Sequence, residues 1–107
     1  MTPEQLAKVA ERARRETTRW LLLMTLNIAR PGEAQTGMLR SVLVAVFSDI
    51  TDLEIRRELD YLQGRELLST RTDPLGTHYA KLERDGIDVV EYTVDCEPGI
   101  ARPPSGT

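Results

Sequence analysis

The stretch from Thr51 to Leu68, TDLEIRRELDYLQGRELL, most constrains what this chain can fold into. Thr51 and Glu54 have the spacing of a capping box, in which each side chain satisfies a free backbone N–H at a helix start. At about 100° per residue, one face of the following helix gathers the apolar residues Ile55, Leu59 and Leu62. The stretch therefore predicts a helix over residues 51–63 with one buried face, followed by a strand that begins near Leu67.

The opposite face of this predicted helix is the surface that a partner would meet. Arg57 and Tyr61 lie away from the apolar stripe, and Arg56 adjoins Arg57. The segment from Asp52 to Glu66 also holds five acids against three arginines. Acids spaced along one helix are typical of a solvated, ion-paired face rather than of catalytic carboxylates.

A β-hairpin is predicted next. Residues 67–72 and 77–82 flank the sequence DPLG, whose proline and glycine favour a turn. If Leu68 pairs with Leu82, the residues that share one face are Ser69, Arg71, Tyr79 and Lys81, and those on the other face are Thr70, Thr72, His78 and Ala80. The first of these faces is basic and aromatic.

The chain begins with a strong helix start. Thr2 is a suitable N-cap, Pro3 suits the first helical position, and Gln5 completes a capping box. Nothing breaks the helix before Ala29, so we expect either a continuous rod or a bend near Thr17. A basic stripe along it, which would be a solvated face or a contact for phosphate or an acidic partner, comprises Lys8, Arg12, Arg15 and Arg19.

The same helix carries more apolar surface than one core needs. An arc roughly opposite the basic stripe contains Leu6, Val9, Ala13 and Trp20. From Trp20 to Ile28 the helix is apolar almost all round, which favours burial on more than one side. We therefore expect a homodimer built by these N-terminal helices.

The middle of the chain predicts a second helix. Arg30-Pro31-Gly32 ends the first helix, and a loop, GEAQT, follows. Apolar residues from Met38 to Phe47 then recur at helical spacing, which favours a helix of about ten residues over a strand. At the other end, residues 96–107 are rich in proline and glycine and have little to bury, so we expect a disordered tail that is dispensable for folding.

Composition narrows the function classes. A chain of 107 residues suits one domain. Its single cysteine, Cys96, and single histidine, His78, leave no cluster with metal-ligand spacing, so neither a metal nor a cofactor is expected. The apolar run from Trp20 to Ile28 is shorter than the roughly 20 residues of a membrane span, and no apolar leader opens the chain. With no common catalytic motif either, we expect a cytoplasmic protein that is not an enzyme.

The core spacing I-x-x-x-L-x-x-L, the charged turn QGRE and the Leu-Leu strand entry resemble winged helix-turn-helix proteins of the MarR, ArsR and PadR kind, over residues 17–92. In particular, ELDYLQGREL and GIDVVEYTVDCEPGIARPP are similar to small winged-helix proteins of Mu-like prophages. The resemblance implies a mainly α fold with a small β-hairpin (α+β), as a winged-helix domain over residues 17–95 with an N-terminal helical extension over residues 1–16. It does not extend to the metal sensing of ArsR proteins, which needs several Cys or His ligands.

The segment LERDGIDVVEY resembles the L-T-x-x-G step into the last helix of MarR-like domains. Glu83 stands where a threonine cap is usual, which leaves the start of this helix less defined. We expect Ile87, Val90 and Val94 to close the core.

Two functions fit these expectations. A DNA-binding transcriptional regulator of prophage type would insert the helix at 51–63 into the major groove, with Arg56, Arg57 and Tyr61 at the DNA and Arg71, Tyr79 and Lys81 on the wing touching the backbone. Arg57 is the expected main base contact. The alternative is a winged-helix adaptor that binds a phage or host protein instead of DNA. The net charge of −3 and the acids of the helix weaken the first hypothesis, although carboxylates can read cytosine.

Overall fold

The order of helices and strands places one long helix first and a hairpin near the end. The computed structural model describes residues 1–105. Its elements are α1 (Pro3–Ala29), β1 (Ala34–Gln35), α2 (Thr36–Leu43), α3 (Asp52–Gly64), β2 (Leu68–Thr72), β3 (His78–Leu82) and α4 (Arg84–Val90). The described residues form an α+β fold in which four helices pack with an antiparallel sheet of strand order β1-β3-β2.

Helix α1 is continuous over 27 residues. The predicted capping box is formed, since the Thr2 hydroxyl accepts from the Gln5 N–H at 3.2 Å and the Gln5 side chain accepts from the Thr2 N–H at 2.9 Å. The Thr18 hydroxyl donates to the Arg14 carbonyl at 2.8 Å, which satisfies this buried polar group inside the helix. Within residues 1–105, no helix is both long and apolar enough to cross a membrane.

The two halves of α1 have different surroundings. Every residue from Met1 to Ala13 is exposed, whereas Leu22, Leu23 and Leu26 are fully buried. The domain core therefore contacts only the second half of α1, and the first half projects beyond it.

Helices α2 and α3 both contribute leucine-rich faces to the core. Leu39 and Leu43 of α2 are fully buried, which confirms a helix rather than a strand here, although α2 ends at Leu43 and a hydrogen-bonded turn continues to Phe47. In α3 the predicted core residues Ile55, Leu59 and Leu62 are all buried.

Only half of the predicted capping box forms at the start of α3. The Thr51 hydroxyl accepts from the Glu54 N–H at 3.2 Å. The Glu54 carboxylate instead receives two hydrogen bonds from Arg14, at 2.7 and 2.9 Å. The side chain that would have completed the cap thus joins α3 to α1, and this interaction raises the pKa of Arg14.

The hairpin has the predicted register. Leu68 pairs with Leu82 and Arg71 with Tyr79. Asp73 forms the turn, because its carboxylate accepts from the N–H groups of Leu75 and Thr77, each at 2.9 Å. A third strand, β1, lies within the segment predicted as a loop, where Ala34 pairs with Ala80 and is buried.

Helix α4 closes the core with Ile87 and Val90, as expected, and with Val89 in addition, but without Val94. Val89 and Gly86 are buried, Ile87 and Val90 are half-buried, and Val94 lies beyond the helix and is 45% exposed. Gly86 sits against the Leu67 carbonyl, where an added Cβ would collide with the backbone. This contact turns α4 so that the Val89 side faces inward.

The segment expected to be disordered is attached to the domain as far as Pro103, whose carbonyl accepts from the Tyr92 hydroxyl. Ile100 is 8% exposed and joins the core. The backbone of the same segment is bound by α1, since the Arg19 guanidinium donates to the Gly99 carbonyl at 2.8 Å and the Ala101 N–H donates to the Glu16 carbonyl at 3.1 Å. Burial of Ile100 and hydrogen bonds to the backbone thus attach this segment to the domain, although its composition favours disorder. Gly106 and Thr107 lie outside the described residues.

Candidate nucleic-acid interface

Two grooves flank the exposed face of α3, one on each side of the helix. Arg56 lines the first, with α2 and the hairpin. Arg57 lines the second, with α1. The sequence hypothesis placed both arginines on one DNA-contacting face. The structure separates them, because neighbouring helix residues differ by about 100° in direction.

The first groove, which we call the α2–α3 groove, contains two arginines. It has a volume of about 490 Å³, and its polar lining residues include Thr36, Arg40, Asp52, Arg56 and His78. Arg40 lies 3.7 Å from the Asp52 carboxylate, so part of its charge is balanced. Among residues 1–105, Arg56 has no carboxylate within 4.0 Å. The unpaired guanidinium of Arg56 is therefore the main cationic group of this groove.

Arg40 was missed by the sequence hypothesis. Its helix was predicted, but the basic residue on the polar side of that helix was not assigned a role. Its nearness to Arg56 depends on how α2 packs against α3, which helical periodicity alone does not specify.

The second groove, the α1–α3 groove, has a volume of about 330 Å³. Arg15 and Arg57 line it together with Glu11, Leu53 and Glu54. It combines three arginines, of which Arg14 is paired with Glu54, with acids and an exposed leucine, since Leu53 is 59% exposed. Arg57 therefore lies at the side of α3 and not at the centre of the surface between α2 and the hairpin.

Tyr61 is not presented to solvent as predicted. The guanidinium of Arg19 lies 3.5 Å from the centre of its ring, and Arg65 donates to its hydroxyl at 2.8 Å. The side chain is half-buried between these two arginines. Stacking and hydrogen bonding hold Tyr61 inside the junction of α1, α3 and the C-terminal segment.

The predicted basic stripe of α1 has only three exposed members. Lys8, Arg12 and Arg15 are exposed, and Arg12 lies 3.1 Å from Glu16. Arg19 is only 12% exposed and donates to the Glu58 carboxylate at 2.8 Å. The stripe points in the same direction as the buried leucines of α1, so its last member enters the domain interior while the earlier ones extend past it.

The hairpin places Arg71, Tyr79 and Lys81 on one face, as its register requires. Arg71 is paired there, since it donates to both oxygens of Glu33 at 2.7 and 2.8 Å and stacks 4.1 Å from the centre of the Tyr79 ring. The hydrogen bonds from Arg71 lower the pKa of the Glu33 carboxyl, so this pair persists at neutral pH. The acid comes from the loop before β1, and no local sequence pattern indicates it.

Lys81 and Tyr79 differ in how available their side chains are for contact with a partner. Lys81 is exposed, and within the described part of the chain no carboxylate lies within 4.0 Å of it. The Tyr79 hydroxyl donates to Asp73 at 3.2 Å, which raises the pKa of Tyr79. Lys81 is consequently the free cation of the hairpin.

The opposite face of the hairpin turns toward α3. The Gln63 side chain accepts from the Thr70 N–H at 2.9 Å and also contacts the Thr70 hydroxyl. His78 bonds Thr72 at 2.9 Å and lines the α2–α3 groove. In residues 1–105, no three His, Cys, Asp or Glu side chains are grouped so that they could hold a metal ion.

No protein-family description matches the chain, and neither a curated protein nor a solved structure matches it. Within residues 1–105, the candidate surface has Arg56 and Lys81 as free cations, Arg40 partly balanced by Asp52, and Arg71 paired with Glu33.

Proposed function

We propose that the chain is a winged helix-turn-helix protein that binds duplex DNA and regulates transcription, of the kind that prophages encode. Helix α3 is the recognition helix and the β2–β3 hairpin is the wing. The order of elements supports this proposal, because two helices joined by a turn are followed directly by a hairpin whose inner face bonds to α3.

The observation that carries the proposal is the exposed, unpaired Arg56 between α2 and the hairpin. An arginine on the presented side of a recognition helix can donate two hydrogen bonds to guanine O6 and N7. Arg40 lies in the same groove and can reach a phosphate of the adjoining strand. In this arrangement Arg56 replaces Arg57 as the main base contact, and Arg57 touches the backbone at one side.

The acids of α3 set the specificity of this surface. Asp52 and Asp60 are exposed near Arg56 and repel phosphates that approach without the correct register. A carboxylate can also accept a hydrogen bond from cytosine N4. This mixture favours a sequence-specific reader with weak non-specific binding.

A fluorescence anisotropy titration tests the proposal. Measured with random and enriched duplexes at several salt concentrations, wild-type binding should weaken as salt rises. Arg56→Ala should weaken binding to an enriched site about 5- to 150-fold, which corresponds to the roughly 1–3 kcal/mol of a base-reading arginine. Lys81→Ala should weaken binding to all sequences and reduce the log–log salt slope by about one.

Arg84→Ala is the matched control, because Arg84 is an exposed arginine outside both grooves. It should leave affinity and salt slope unchanged. Equal losses in Arg56→Ala and Arg84→Ala would show a general charge effect only. Absence of salt-sensitive binding to any duplex at low ionic strength would refute the DNA proposal.

A protein-binding adaptor is the second candidate, and exposed apolar residues favour it. Val42, Val46 and Leu53 are 46%, 55% and 59% exposed, and Leu53 lines the α1–α3 groove together with the acid Glu54. Such a surface suits a basic, apolar helix of another protein better than it suits phosphate. If no duplex binds, Leu53→Lys tests the α1–α3 groove as the binding site for that protein, and Arg56→Ala tests the α2–α3 groove.

A further inference from the structure

One long face of α1 is exposed toward both ends of the helix and half-buried between them, where Leu21 packs partly against the core. Its residues lie within about 80° of one another at 100° per residue and recur at spacings of three and four. This face, which we call the α1 seam, consists of Leu6, Ala10, Ala13, Thr17, Leu21, Met24 and Ile28. Leu6 is 61% exposed, Met24 is 42% exposed and Ile28 is 83% exposed.

The remaining faces of α1 are occupied in its second half. The core covers Leu22 and Leu26. On another side, Tyr92 packs edge-on against Trp20 with ring centres 6.2 Å apart, and the C-terminal segment bonds to the Glu16 carbonyl. Trp20, expected to share the partner-facing arc, is thereby buried within its own chain, and the seam passes beside it.

We infer that a second copy of this chain covers the seam, with the two α1 helices antiparallel and a two-fold axis at Thr17. In this register Thr17 meets Thr17 of the second copy. The other facing pairs are Leu6 with Ile28, Ala10 with Met24, and Ala13 with Leu21. Two of these pairs, Ala10 with Met24 and Ala13 with Leu21, set a small side chain against a large one, and the two-fold axis makes each of them occur twice.

This match in size is what favours a second copy over an unrelated partner. Ala10 and Ala13 are small in the projecting half of α1, while Met24 and Ile28 are large in the half beside the domain. An antiparallel pair turns this difference into close packing, whereas a parallel pair would place small against small and large against large. No charged residue belongs to the seam, so the pairing buries no unpaired charge.

The projecting half of α1 would also gain stability from pairing with a second copy. Residues 1–13 are exposed, and an isolated helix shorter than about 12–15 residues is marginal in water. Pairing along the seam would place Leu6 and Ala10 beside the apolar end of the second α1. The inference does not depend on DNA binding.

Disulfide trapping tests the register. In a Cys96→Ser background, Thr17→Cys should form a covalent dimer on mild oxidation, because the two introduced side chains meet at the axis. Ala10→Cys should not, since its two copies would be about 21 Å apart along the helix at 1.5 Å per residue. A mixture of Ala10→Cys and Met24→Cys proteins should crosslink to each other but each poorly to itself.

A charge substitution tests whether the seam holds the dimer together. Ala10→Glu should convert a dimer to a monomer in sedimentation equilibrium at tens of micromolar, because it sets a carboxylate against Met24 of the second copy. Ala7→Glu, the same change at an exposed position of α1 off the seam, should leave the dimer intact.

Three results would overturn the inference. They are a wild-type monomer at tens of micromolar, efficient self-crosslinking of Ala10→Cys as a parallel pair requires, and a dimer that Ala10→Glu leaves unchanged. Circular dichroism of each variant shows whether the helix itself has survived the substitution.

Discussion

The two ends of the chain acquire their structure in opposite ways. The first 13 residues are almost entirely helical, yet all of them are exposed. Residues 97–103 have no helix or strand, yet Ile100 among them is buried. Regular secondary structure and attachment to the core are therefore separate properties in this molecule.

Local and tertiary interactions explain the difference. At the N-terminus, the capping box of Thr2 and Gln5 satisfies backbone groups within a few residues. At the C-terminus, the partners are distant in sequence. Arg65 donates to the Pro98 carbonyl at 2.9 Å, and the Tyr92 hydroxyl donates to the Pro103 carbonyl at 2.8 Å. A segment can thus be held in place by side chains that bond its backbone.

Truncation after Cys96 should have the largest effect on stability, contrary to the sequence expectation that this tail is dispensable. It removes Ile100 from the core, worth about 1.5–3 kcal/mol. It also removes acceptors of Arg19 and Arg65, and each such hydrogen bond contributes about 1 kcal/mol. Because the ordering entropy of the tail offsets part of these contributions, we expect a net loss on the order of 2 kcal/mol and a Tm lower by about 10 °C, measured by thermal melts.

A shorter truncation that removes only residues 104–107 is the control. It leaves the contacts of Ile100, Gly99 and Pro98 in place, so the Tm should change little. Equal Tm values for both truncations and the full chain would show that the C-terminal segment contributes nothing to folding.

A single methyl group should loosen the same segment. Gly99 has φ of 108°, and an added Cβ would collide with the Tyr61 hydroxyl. Gly99→Ala should therefore lower stability by up to about 2 kcal/mol through strain and overpacking, since a greater cost would detach the segment altogether. Gly76→Ala is the matched comparison, since Gly76 has φ of 84° in open space and should cost only about 1 kcal/mol. Urea unfolding curves measure both, and equal losses would mean that Gly99 is not packed against Tyr61.

Periodicity and caps were sufficient to predict most of the fold. Ile55, Leu59 and Leu62, the hairpin register and the cap at Thr2 follow from contacts within a few residues or across one turn. The packed C-terminal segment and β1 could not be predicted in this way. Ala34 becomes a strand residue only because β3 has a free edge beside it.

The candidate site was less predictable than the fold. Arg56 and Lys81 are exposed and, among the residues that the structure describes, have no carboxylate within 4.0 Å, as a binding surface requires. Arg19 and Arg71 looked equally available in the sequence, but Glu58 and Glu33 pair with them from positions about 40 residues away in the chain. Basic residues can be found by inspection, whereas their availability depends on which acids the fold brings to them.

The smallest expected effect on stability comes from removing the same N-cap hydrogen bond in a packed helix and in a projecting one. Thr51 and Thr2 each accept a hydrogen bond at 3.2 Å from the N–H three residues later. Thr51→Ala should destabilise the domain by about 1 kcal/mol and lower the Tm by about 4–8 °C, because α3 carries core residues that fraying would expose. Thr2→Ala removes the same bond, but fraying there exposes no core residue, so we expect a Tm shift under about 1 °C. Hydrogen exchange should nevertheless be faster in the first turn of α1. A Tm loss in Thr2→Ala as large as that in Thr51→Ala would mean that the start of α1 is packed against something, and the second copy proposed above would then be the first surface to examine.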